Sequence, residues 1–213
     1  MPQHIKLFES WLSDIADTVK VAFTGGKAKP KFSDAQFKQE FEAGIEDLSS
    51  DTTQSKITQS GDLDKYFVVH HTASSPSTTA NDIVDILNDR NLGVQWVVDR
   101  DAKVFKTFPE GMIAWHAGHE DQKDAPADLQ NATAQGVEVI AKNDADVLPE
   151  QVLAVFKLLK YLGYSKDQVW GHGEVTHNKE ATEGKTIVDY WRKNWEKSPA
   201  EAEIDILGSM RQG

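Results

Sequence analysis

Six of the seven histidines lie where they could work together. His70 and His71 end an aromatic and β-branched run, Tyr66-Phe67-Val68-Val69. His116 and His119 sit in a loop around Gly118, His172 stands between Gly171 and Gly173, and His177 follows in the same segment. Neutral imidazole is the commonest metal ligand and the usual general base near neutral pH. A single histidine of this kind reads as a buried, hydrogen-bonded core residue. Two at the end of a rigid strand, with more in glycine-flanked loops, read as a site. Glu138, inside the apolar run Gly136-Val137-Glu138-Val139-Ile140, is a further candidate. A carboxylate among Val and Ile is costly to bury unless it is paired or has a raised pKa and a task. Strand alternation equally allows it to face water. The segment from Gly171 to Gly184 carries His172, His177, Glu174, Glu180 and Glu183. It is either a solvated acidic loop or a functional loop on a rigid scaffold.

These residue types suit one chemistry. Two histidines and a carboxylate can hold Zn²⁺ and leave a position open for water. Zinc lowers the pKa of that water to about 7 and polarises a carbonyl. A second carboxylate can take the water proton and pass it to a leaving nitrogen. The chain has no cysteine, which excludes disulfides, thiolate zinc sites and a thiol nucleophile. It has no His-Glu-x-x-His helix, so it is not a zincin-type protease.

The elements that must position these residues follow from periodicity. A chain of 213 residues supports one compact domain plus an appendage. We divide it into an N-terminal helical appendage and linker (1–60), a catalytic domain (61–197) and a C-terminal tail (198–213). Residues 5–19 read as an amphipathic helix and 22–32 as a linker with Gly25-Gly26 and Pro30. A second helix is expected over 33–48, capped by Ser33 with Gln36, its stripe formed by Phe37, Phe41, Ile45 and Leu48. Further on, the pattern predicts the strand 66–71 and a helix over 79–88 with Ile83, Ile86 and Leu87 inward. A hairpin follows, 94–98 with 103–108, turning at 99–102. Then come a strand at 136–141, a helix opened by Pro149, a short strand at 168–170 and a helix over 186–195. Alternating strands and helices imply an α/β fold, a mixed central β-sheet flanked by helices.

Charge and composition bound the partners. The formal net charge of −11 and the lack of basic stripes argue against nucleic acid and against anionic membrane surfaces. No apolar run reaches the length of a membrane span. The first residues lack the features of a secretory signal, so the expected product is cytoplasmic or leaves by a route that reads no signal peptide.

Residues 63–196 resemble the zinc-dependent N-acetylmuramoyl-L-alanine amidases of the type-2 amidase and peptidoglycan-recognition-protein superfamily, to which many phage endolysins belong. The resemblance rests on these signatures, in order. Phe67-Val68-Val69-His70-His71-Thr72-Ala73 is similar to the first ligand strand. Trp96-Val97-Val98-Asp99-Arg100-Asp101-Ala102-Lys103-Val104 is similar to the central hairpin, with Ala102 where Gly is usual. Trp115-His116-Ala117-Gly118 resembles the substrate-groove loop. Asn131 with Gly136-Val137-Glu138, and Gly171-His172 through Glu183-Gly184, resemble the catalytic-Glu strand and the second-ligand loop.

The resemblance implies a zinc peptidoglycan amidase, a monomer, that cuts between N-acetylmuramic acid and L-alanine. His70, His172 and Glu183 would ligate zinc, and Glu138 would be the general base. His71, Trp115 and His116 would contact the muramyl-peptide. The third ligand is where this chain departs from the family. Asp or Cys before Pro-Gly is usual, and here the loop reads Ala181-Thr182-Glu183-Gly184. A strict position match selects Thr182, and Glu180 and His177 share the loop. The Lys that many members place two residues before the third ligand is Ala181 here, with Lys179 and Lys185 nearby. The hairpin Tyr of some members is also missing. The resemblance therefore carries two further readings: a non-catalytic peptidoglycan-binding protein, and a virion structural protein on the same fold.

Overall fold

The apolar runs at 66–69, 94–98 and 136–141 become the centre of one sheet. The computed structural model describes residues 33–53, 59–117 and 123–210. The expected helix over 5–19, the linker over 22–32 and His119 lie outside them. Among the described residues the elements are α1 (Asp34–Ala43), β1 (Glu46–Asp47), β2 (Tyr66–His71), α2 (Ala80–Asp89), β3 (Trp96–Val98) and β4 (Val104–Lys106), then β5 (Ala134–Val139), α3 (Pro149–Leu162), β6 (Val169–Gly171), α4 (His172–Val175), α5 (Lys185–Asn194) and α6 (Pro199–Met210).

The six strands run in the order β1-β4-β3-β5-β2-β6. β3, β5, β2 and β6 are mutually parallel, β3 and β4 form the antiparallel hairpin, and β1 adds parallel to β4. The sheet is mixed and flanked by helices, as the pattern implied. Its register sets two faces, because successive side chains alternate. Phe67, Val69, Val137, Val139, Trp96 and Val98 point to one face and pack under α3, α5 and α6 with Phe156, Leu158, Leu159, Ile187 and Trp191. Fully burying a side chain of this size contributes roughly 1.5–3 kcal/mol, so this face carries most of the fold's apolar stabilisation. The opposite face carries Val68 and His70 on β2, and Ala134, Gly136 and Glu138 on β5.

Local sequence signals explain where the helices start and stop. Ser33 and Gln36 form a reciprocal capping box at α1, and Thr79 and Asp82 do the same at α2. Pro149 occupies the first turn of α3, and Gly163 ends it at φ 84. Buried Gln151 ties the start of α3 to the sheet, donating to the carbonyls of Asp99 and Ile140 at 2.9 and 3.0 Å.

Two expectations need correction. The helix expected over 33–48 stops at Ala43. Gly44 ends it, and Glu46 and Asp47 pair with Phe105 and Lys106 as an edge strand. Phe41, Ile45 and Leu48 still face inward, as the stripe implied, but from a helix, a turn and a strand end. This part of the N-terminal segment is therefore an edge of the sheet. Ile86, expected inward, is 43% exposed; Val84 is buried beside Ile83 instead. The tail, whose sequence allows a short helix or disorder, forms the helix α6, whose Ala202 and Ile206 are buried against α3, with Glu203 bonded to Lys157 at 2.9 Å. No helix among the described residues is long and apolar enough to cross a membrane.

Candidate metal centre

Three parallel neighbours, β5, β2 and β6, deliver one functional residue each at their carboxyl ends. His70 is the penultimate residue of β2, Glu138 that of β5, and His172 follows β6 directly. His70 and Glu138 are register partners across the two strands. Crevices outside the carboxyl ends of parallel strands are where open α/β sheets bind ligands. Glu183 comes from the segment after α4. Gly184, at φ 81, makes the left-handed turn that starts α5, and a Cβ there would meet the Val69 carbonyl at 2.3 Å. Only glycine lets the chain press this closely against β2, and that approach brings Glu183 inside. Glu174 fixes the other end of the segment. It accepts from the Gly171 amide at 3.0 Å and forms a two-pronged ion pair with Arg192.

The donor atoms of His70, His172 and Glu183 converge, and all three residues are buried. His172 Nδ1 lies 2.8 Å from His70 Nδ1 and 2.8 Å from Glu183 Oε1; His70 Nδ1 is 3.5 Å from the same oxygen. Donors around a tetrahedral zinc with bonds of about 2.0–2.1 Å sit about 3.3 Å apart. A small outward adjustment of these three atoms accommodates such an ion, so the residues fit one. His177, Glu180 and Thr182, the other residues of this segment that could ligate, are exposed.

Electrostatics divide the two carboxylates. Burial alone would raise the Glu183 carboxyl, but the hydrogen bond from His172 and the close approach of His70 outweigh it and hold the group far below the usual carboxylate range. Burial pushes Glu138 up to about 8, reinforced by repulsion from Glu183 and opposed by Lys179 and Arg90. Glu138 is half-buried as a residue, yet its Oε2 is sealed from solvent with no hydrogen-bond partner among the described residues. Burial, then the neighbouring His172, holds His70 well below the ordinary histidine value, and burial holds His116 at about 3. Both imidazoles are neutral at pH 7, the form that binds metals. Two carboxylates with such different environments suit two tasks, one as a permanent anion and one as a proton carrier.

The remaining expected residues are distributed differently. Trp115, next to His116 in the chain, is 36% exposed. His71 pairs with Val139 and so points to the face opposite His70 and Glu138; it is buried, with Nδ1 unpartnered among the described residues. Strand alternation puts it out of reach of a groove on the other side. His116 turns inward rather than to the groove, with Nδ1 3.1 Å from His70 Nε2 and Nε2 3.2 Å from the Ala134 carbonyl oxygen. Lys179 brings its ammonium 3.8 Å from Glu183 Oε2. The Glu174–Arg192 anchor and the His116–His70 contact have no signal in the sequence, because each depends on segments that only the fold brings together.

Comparison with known proteins agrees with this geometry. The sequence matches the family described as Amidase_2, N-acetylmuramoyl-L-alanine amidase, over residues 61–186, more than half of the chain. No curated protein matches it. Among solved structures, the PlyG catalytic domain is 18% identical, covering 70% of this chain and 93% of its own, with a TM-score of 0.51. A mutant endolysin from Bacillus subtilis is 19% identical, covering 70% and 94%, at 0.50. The catalytic domain of XlyA is 18% identical, covering 74% and 97%, also at 0.50. At these identities the likeness shows the fold.

Proposed function

The chain belongs to the Amidase_2 family of N-acetylmuramoyl-L-alanine amidases, and from that premise we propose that it cuts peptidoglycan with a zinc centre at His70, His172 and Glu183 and with Glu138 as general base. The observation that carries this reading is the convergence of three buried donor atoms beside a carboxyl whose pKa is raised to about 8. The bound zinc would supply Lewis acidity to the scissile amide carbonyl and its attacking water. The Glu138 carboxylate takes the water proton and delivers it to the departing L-alanine nitrogen. Glu183 stays ionised throughout, held by its histidine contacts. Lys179, exposed at the mouth, places positive charge where the carbonyl oxygen becomes negative. Trp115 offers an exposed indole face to the sugar or the peptide stem. His70 and Glu138 are fixed by neighbouring strands, so water and carbonyl meet them with little reorganisation.

The fold shared with an endolysin supports a lytic role on the bacterial wall. The test is digestion of purified peptidoglycan with the full chain and with Glu138→Gln. Release of free L-alanine amino termini without new reducing ends, lost in the variant, is the expected result. New reducing ends without amino termini would assign a glycosidase bond instead. Binding to the wall with no bond cleaved would make the protein a peptidoglycan-binding module.

A further inference from the structure

We propose that His116 is a positioning residue that fixes the tautomer of His70 through a directed hydrogen-bond chain starting at the Ala134 carbonyl. The inference rests on the reading of His70 as a metal ligand and adds a residue to it.

The direction of the chain follows from its one unambiguous end. A backbone carbonyl only accepts, so His116 Nε2, 3.2 Å from the Ala134 oxygen, carries a hydrogen. The neutral ring then has a lone pair on Nδ1. His70 Nε2 lies 3.1 Å from that lone pair and must donate to it. His70 Nδ1 is left unprotonated, and it is the atom that faces His172 Nδ1 and Glu183 Oε1. The two rings stand nearly perpendicular, at 83° with centroids 5.3 Å apart. In the metal-free protein the proton between the remaining atoms resides on His172 Nδ1, which reaches both His70 Nδ1 and Glu183 Oε1 at 2.8 Å.

The setting of His116 supports a positioning role. The Asn131 side-chain oxygen accepts from the amides of His116 and Ala117, both at 2.8 Å, and so clamps the loop. The ring lies on Gly136, where a Cβ would come within 2.6 Å of Cε1 and Nδ1. Asn131 and Gly136 thus form a cradle for His116. β5 supplies Glu138, the Gly136 seat and the Ala134 acceptor together, so one strand orients the base and, through His116, the first ligand. Partners that orient a ligating histidine typically change metal affinity by about 10–100-fold when removed.

The test uses the full chain, metal-free and ¹⁵N-labelled. Long-range ¹H–¹⁵N spectra of the imidazoles should show His70 and His116 as Nε2–H tautomers. Zinc competition against a chromophoric chelator should show His116→Phe, which keeps a ring but no nitrogen, binding about 10–100-fold more weakly. His116→Asn, with an oxygen near the place of Nδ1, should recover most of that loss. An Nδ1–H tautomer at His70 in the wild type overturns the proposal, as does a folded His116→Phe that binds zinc as tightly as wild type. If the wild type shows both Nε2–H tautomers and yet binds no zinc, the metal-centre reading fails and the hydrogen-bond chain stands.

Discussion

The two faces of the central sheet are built from the same strands and do opposite work. On the face under α3, α5 and α6, β2 and β5 contribute Phe67, Val69, Val137 and Val139, fully buried among apolar neighbours. One residue out of phase, the same strands contribute His70, buried against His172 and His116, and half-buried Glu138, whose Oε2 has no partner among the described residues. The first face stabilises the fold by removing apolar area from water. The second destabilises it, because Glu138 is desolvated, with no partner for Oε2 among the described residues, and lies in the field of Glu183. Strand alternation lets one buried segment do both, provided the apolar face is large enough to offset the polar one.

Substitutions can break this contrast. The largest effect belongs to Glu138→Gln, which should lower the rate of wall cleavage by about 10²–10⁴-fold while leaving the fold intact; turnover measured beside thermal unfolding checks both halves. On the other face, Phe156→Ala should cost about 3–5 kcal/mol in denaturant unfolding. Folded molecules of that variant should keep wild-type zinc affinity, since Phe156 is 1% exposed on α3, among the α5 and α6 side chains of the apolar face.

A smaller effect sharpens the contrast by its sign. The Glu138 carboxyl is raised from 4.5 to about 8 in the folded chain. Its contribution to stability is therefore fully present below about pH 4.5 and is lost as pH rises towards 8. Metal-free Glu138→Gln should be more stable than metal-free wild type at pH 8, by roughly 1–3 kcal/mol, and the gap should close towards pH 4.5. Melting curves across that range test it, and a gap that widens on acidification would contradict the assignment. The smallest effect lies in the hairpin. Ala102 sits at φ 61, a left-handed conformation that costs a side chain more than it costs glycine. Ala102→Gly should leave unfolding free energy unchanged or raise it by up to about 1 kcal/mol, with no change in zinc binding.

Which parts were legible from sequence follows the range of the interactions. Ser33 with Gln36, and Pro149, announce helix starts because caps act within one turn. The opposite directions of His70 and His71 follow from alternation alone. The 37-41-45-48 stripe correctly marked an inward side, but Gly44 and the pairing of Glu46 with Phe105 turned its second half into a strand. That pairing spans many residues, and nothing local announces it. Ile86 was misplaced because helical spacing alone does not say how wide the covered face is. Within the loop, spacing left Glu183, Glu180, His177 and Thr182 open; the close approach of Gly184 to Val69 brings Glu183 inside. The contact of His116 with His70 spans three segments and depends on Gly136, so the sequence offered only a groove residue.

The central claim is that the carboxyl ends of β2 and β6, with the Glu183 turn, form a three-ligand metal centre. Zinc stoichiometry on purified wild type, Glu183→Ala and Glu180→Ala tests it most directly. One zinc per chain is expected in wild type and in Glu180→Ala, and none in Glu183→Ala. Zinc retained at full occupancy and affinity in a folded Glu183→Ala would contradict it.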